Sequence, residues 1–84
     1  MISAGDMVVS CMGHDKGNFF IVIDANETYV TICDGKTRKA ARKKKKNIKH
    51  IKPTGLKTDL LNNIPQYAVD ANIRREIKRL KNNL

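Results

Sequence analysis

The sequence predicts a mainly β fold, a small five-stranded barrel followed by a C-terminal helical tail. Three observations point there. Apolar residues fall in short runs rich in β-branched side chains, too brief for helices. Polar turns containing glycine separate those runs. Apolar residues recur at helical spacing only in the last third of the chain, most clearly beyond Asp70. A chain of 84 residues buries only about 60 % of the surface its unfolded form exposes, which favours a compact unit with a short appendage over an enzyme with a deep cleft.

Met7 to Met12, following Gly5-Asp6, reads as the first strand. Gly13-His14-Asp15-Lys16-Gly17-Asn18 is a polar loop with glycine near both ends, the connection of a hairpin. Phe19 to Ile23 is the longest apolar run in the chain and reads as a well-buried second strand. After the turn Asp24–Glu27, Thr28 to Cys33 alternates with a period of two, placing Val30 and Ile32 on one face and Tyr29, Thr31 and Cys33 on the other. Asp34-Gly35 is a strong hairpin signal and predicts a fourth strand near Lys36–Ala41. Arg42 to Lys46 is a run of like charges that should be extended and mobile without a partner. Asn47 to Lys52 reads as a short fifth strand that Pro53 ends.

Leu56 to Ile64 is expected as a short helix stopping before Pro65. A second helix begins with Asp70 as N-cap, with Ile73, Ile77, Leu80 and Leu84 in one stripe and Arg74, Arg75, Lys78, Arg79 and Lys81 facing away. Together these elements describe a small SH3-like barrel over residues 1–53 and a helical tail over 54–84.

The net charge is +9, and it is concentrated. Residues 1–35 carry one base and five acids, 36–52 carry ten bases and no acid, and 53–84 carry six bases and three acids. Such clustering is the footprint of a polyanionic partner, with RNA, DNA and an anionic membrane as the candidates. Lysine outnumbers arginine eight to two in the basic segment, and a lysine ammonium is a point charge without a bidentate fork, so backbone recognition is expected ahead of base reading. Aromatic residues are scarce, which favours structured RNA over a threaded single strand.

The stretch Gly5 to Ile23 resembles the KOW motif of several large-subunit ribosomal proteins and transcription-elongation factors: Gly5-Asp6 precede a β-branched strand, Gly13 holds the motif's characteristic glycine position, Lys16-Gly17 close the loop and an apolar strand follows. With Asp34-Gly35, the basic run and Lys49-His50, the chain is similar over residues 5–52 to small KOW-domain RNA-binding proteins. That resemblance implies an SH3-like barrel and RNA binding through the first hairpin loop and neighbouring basic strands.

The candidate RNA-binding residues are therefore Gly13, His14, Lys16, Gly17 and Asn18 in the first loop, Tyr29 as a stacking residue, and Lys36, Arg38, Lys39, Arg42, Lys43, Lys44, Lys45, Lys46, Lys49 and His50 in the basic segment. Asp15 would repel phosphate and is expected to cap the loop's own amides. Cys11, His14, Cys33 and His50 lack a Cys-x-x-Cys pair, and both cysteines alternate with apolar residues, so neither a metal site, a catalytic thiol nor a cofactor is expected. The expected protein is a cytoplasmic monomer without a membrane span. It is expected to be a non-catalytic module that binds rRNA or the ribosome and takes no small-molecule substrate; the alternative is a transcription-associated KOW module contacting RNA polymerase or another protein.

Overall fold

A computed structural model describes residues 2–60 and 70–84. Five strands, β1 (Asp6–Ser10), β2 (Phe19–Ala25), β3 (Tyr29–Cys33), β4 (Lys44–Asn47) and β5 (Ile51–Lys57), make one antiparallel sheet in the order β4-β3-β2-β1-β5. Short 3-10 turns occupy Ala40–Arg42 and Ile48–His50, and one helix, α1, spans Asp70–Lys81.

Connectivity forces the sheet to roll up. The edge strands β4 and β5 are separated only by the turn Ile48–His50. In a flat five-stranded sheet the edges would stand roughly 19 Å apart, at about 4.8 Å per strand, whereas three residues of 3-10 helix advance about 6 Å. The turn is tied to both sides: the Ile48 N–H donates to Thr28 O at 2.9 Å, and the Cys11 N–H donates to His50 O at 2.8 Å. The result is the small SH3-like arrangement that the strand pattern predicts.

Each strand side then has its own apolar layer. Val8, Phe20, Val22, Val30, Ile32 and Ile51 are buried together as the barrel interior. Residues one position away, Met7, Ile21 and Cys33, form the opposite layer with Ala40 and with Ile73, Ile77 and Leu80 of α1. Phe19 to Ile23 is continuously apolar because β2 is covered on both faces, with Phe20, Ile21 and Val22 buried and Phe19 and Ile23 partly so.

Helix α1 places Ile73, Ile77 and Leu80 on its buried side, with basic residues in its last turn where the helix dipole favours them. The Asp70 carboxylate accepts the Ala40 N–H at 2.7 Å, fastening the helix start to the chain after β3. Gly35, at φ +74°, lies beneath that helix start, where any Cβ would overlap the Asp70 carbonyl oxygen. Midway along the helix, Thr58 Oγ1 donates to Glu76 at 2.7 Å. Leu84 falls beyond the helix and is 64 % exposed, so it does not continue the stripe.

Several sequence expectations need correction. Residues 36–41 form no strand: the Asp34 carboxylate accepts the Lys36 and Arg38 N–H groups at 2.9 and 2.8 Å, winding the chain into a loop. The fourth strand lies inside the lysine run, which is thus fixed to β3 from Lys44 onward and not mobile there. Asn47 ends that strand, Ile48–His50 is a 3-10 turn, and β5 starts only at Ile51. Pro53 does not end β5 but sits within it opposite Val8, which is tolerable because β5 is an edge strand bonded to β1 alone. Leu56 and Lys57 belong to that strand and not to a helix; the rest of the helix expected over 56–64 lies mostly outside the described residues.

Two measurements probe this packing. Ile73→Ala removes a fully buried side chain and is expected to lower unfolding free energy by about 2–5 kcal/mol in denaturant titration, whereas Leu84→Ala should change it by less than about 0.5 kcal/mol. The Arg79 guanidinium, then the Thr58 hydroxyl, hold the Glu76 carboxyl below its ordinary value of 4.5 against the opposing effect of burial. A depressed carboxyl stabilises the fold fully above its unfolded value and loses that contribution as pH falls through its folded value. Glu76→Gln should therefore flatten the stability profile below about pH 4.5 while leaving its shape near neutrality unchanged.

Candidate nucleic-acid interface

Strand β1 ends at Ser10 and the chain returns as β2 at Phe19, so residues 11–18 must reverse direction at one end of the barrel. The Ser10 N–H donates to Asn18 O and the Gly17 N–H to Ser10 O, closing the loop on itself. Asp15 within it is only 3 % exposed. Burying a carboxylate without compensation is prohibitive, and compensation comes from the basic segment. Arg38 Nη2 lies 3.1 Å and Lys46 Nζ 3.7 Å from Asp15 Oδ2, and Lys46 also donates to Met12 O at 3.0 Å.

Asp15 therefore works differently from the expected cap. It clamps the first loop to the 34–38 loop and to β4, bringing these three predicted segments together, while Tyr29 lies apart beside the β2–β3 turn. The clamp also withdraws two predicted contacts from the surface. Lys46 is 9 % exposed, sharing the interior side of the sheet with its pair partner Val30. Arg38 is half-buried, bonded to Asp15 through one nitrogen while its buried Nε has no partner.

The other predicted cations stay outside. Lys36, Lys39, Arg42, Lys43, Lys44, Lys45 and Lys49 are exposed, as are Gly13, His14, Lys16, Gly17 and Asn18 in the loop. Lys43 Nζ donates to Ala40 O at 2.8 Å, which restrains its stem across the preceding 3-10 turn. His50 is half-buried and its carbonyl receives the Cys11 N–H, placing the 48–50 turn directly beside the start of the first loop. Tyr29 is 40 % exposed, with Lys45 Nζ 4.7 Å from its ring centroid. A base stacking on that side of the ring would have to displace the ammonium.

What sequence reasoning missed is that Lys46 is buried while its neighbours in the run are exposed: Lys44 shares its strand parity, opposite Ile32 as Lys46 is opposite Val30, yet only Lys46 is drawn in to Asp15. Four adjacent lysines carry no apolar marker of which one faces in. It also assigned the cations of α1 no place beside the loop, whereas Arg74 donates through Nη1 to the Gly35 carbonyl oxygen and Lys81 Nζ sits 5.0 Å from the Phe19 ring centroid. The amphipathic helix pattern was the available signal.

The chemistry here is electrostatic. Burial pushes the Cys33 thiol from 9.0 up to about 11, so it stays protonated and unreactive near neutral pH. Among the described residues no three His, Cys, Asp or Glu side chains gather as a metal site, and no helix is long and apolar enough to cross a membrane. Asp15→Asn is expected to leave two cations facing a neutral amide and to cost on the order of 2–3 kcal/mol, less than a fully buried pair because Arg38 is partly hydrated. Thermal melting checks this, and a melting temperature unchanged from the parent would show that the clamp carries no stability.

No family model matches the chain. Curated relatives do. Large ribosomal subunit protein eL14 of Pyrobaculum islandicum is 36 % identical over 61 residues, covering 71 % of this chain and 59 % of that protein. The proteins of the same name from Pyrobaculum calidifontis and Pyrobaculum arsenaticum are each 34 % identical over 61 residues, with the same coverage. The chain thus spans about three-fifths of the length of the relatives it matches. By the KOW-like first hairpin, the rolled five-stranded sheet and these identities together, this chain is similar to KOW-type proteins of the large ribosomal subunit.

Proposed function

We propose that this chain is a non-catalytic, cytoplasmic RNA-binding protein that associates with the large ribosomal subunit and grips structured rRNA by its phosphate backbone. The observation that carries this reading is the Asp15 clamp. By engaging Arg38 and Lys46 inside the protein, it fixes a strand whose Lys44 and Lys45 stay exposed. A free run of like charges would lose conformational entropy on binding. A strand already paired to β3 has given up most of that freedom on folding.

The cations suit phosphate better than base edges. They are mostly lysine and exposed, with Tyr29 as the sole described exposed aromatic residue. Each phosphate contact releases condensed counterions, so affinity should depend steeply on salt. The names of the Pyrobaculum relatives point to the large ribosomal subunit as the source of that RNA.

Filter binding to large-subunit rRNA fragments between about 50 and 200 mM salt tests the reading. The expected outcome is tight binding in dilute buffer that weakens as salt rises. Lys44→Ala with Lys45→Ala should reduce the slope of log affinity against log salt by roughly 1.4–1.8, at about 0.7–0.9 per contact. Affinity indifferent to salt, or unmoved in this double variant, would overturn it. Retention of a cellular partner after nuclease treatment would instead favour a protein-contacting module.

A further inference from the structure

A groove opens between the end of the first loop, the 34–37 turn and helix α1. Three cations line it: Lys36 from the turn, and Arg74 and Lys81 from the helix. The acid among the lining residues, Asp34, is engaged through Oδ1 with the backbone N–H groups of Lys36 and Arg38, so its charge is partly balanced inside the loop. Gly17 forms the rim, and nothing would lie within 4 Å of a Cβ placed there. That leaves the approach to the neighbouring backbone open.

We propose that this groove is a second phosphate-binding subsite, through which helix α1 and the first hairpin loop hold one stretch of RNA backbone between them. The inference rests on the RNA-binding reading and names an additional surface for it. Arg74 is well placed to hold an anion. Its Nη1 bond to the Gly35 carbonyl oxygen orients the guanidinium, and a fork of five donors retains capacity for a phosphate after one such bond. Lys81 lies over the Phe19 ring, whose face holds the ammonium at the groove. Lys36 makes its described hydrogen bond through the backbone N–H and not through its ammonium.

The occupant should be a polyanion. The groove is open along its length, and a single small anion would face three cations that remain well hydrated, which yields little net binding. An RNA backbone already held at the Lys44–Lys45 surface would bring further phosphates to the groove at high effective concentration. Gly17 and Asn18 belong to the loop that Asp15 clamps to β4, so both surfaces share one rigid element.

The test uses the full chain, large-subunit rRNA fragments as probe and two variants. Lys36→Ala with Lys81→Ala removes two exposed charges; Asn18→Glu places a carboxylate on the rim without removing any described side-chain bond. Melting curves establish that each variant is folded. Both should bind RNA about tenfold or more weakly in dilute buffer, and the lysine double variant should lose roughly 1.4–1.8 from the salt slope. Parent-like affinity in both folded variants, with the Lys44/Lys45 variant still impaired, would overturn the groove and leave the primary interface standing. If the parent protein itself ignores rRNA, the RNA-binding reading falls, and this subsite with it.

Discussion

A buried carboxylate in a chain of net charge +9 has to find cations, and Asp15 finds two. Its partners come from positions 23 and 31 residues further along, so one ion cluster joins three separate segments at one end of the barrel. Neither cation is worth much as a surface ion pair, but here Asp15 is almost completely enclosed and Lys46 nearly so. Removing Asp15 leaves both cations without compensation. The cluster turns a mutually repelling run into a strand with a defined inside and outside.

The second constraint is area. A barrel this small cannot bury enough apolar surface by its interior alone, and β2 exposes a second apolar parity that would otherwise meet water. Helix α1 covers it with Ile73, Ile77 and Leu80. The cover is specific, because Asp70 bonds the Ala40 N–H and Gly35 admits the helix start at a distance no other residue allows. Packing then determines electrostatics, since the same docking brings Arg74 and Lys81 to the side of the first loop.

Both sheet edges are also protected. Strand β4 presents Lys44 and Lys45, and β5 presents Lys52 and Pro53, all exposed. Lysine and proline at edges discourage pairing with another chain. For β4, the charge that blocks a foreign strand is the same charge that the proposed interface presents to a phosphate backbone.

Local order was written in the sequence. The strands around Met7–Ser10, Phe19–Ile23 and Tyr29–Cys33 and the helix from Asp70 follow from apolar periodicity, and the concentration of positive charge after Gly35 follows from counting. What the chain decided only on folding concerns partners far apart in sequence. Asp34-Gly35 carries a hairpin signal, yet the helix docking on Gly35 and the Asp34 carboxylate bonding its own loop displace the strand to Lys44. Which lysine of the run reaches Asp15 was decided by tertiary contacts, since Lys44 and Lys46 share a strand parity yet only Lys46 is buried, and a run of identical residues has no periodicity to read. Periodicity reports the environment a segment requires; the identity of the group that supplies it is fixed by tertiary contacts alone.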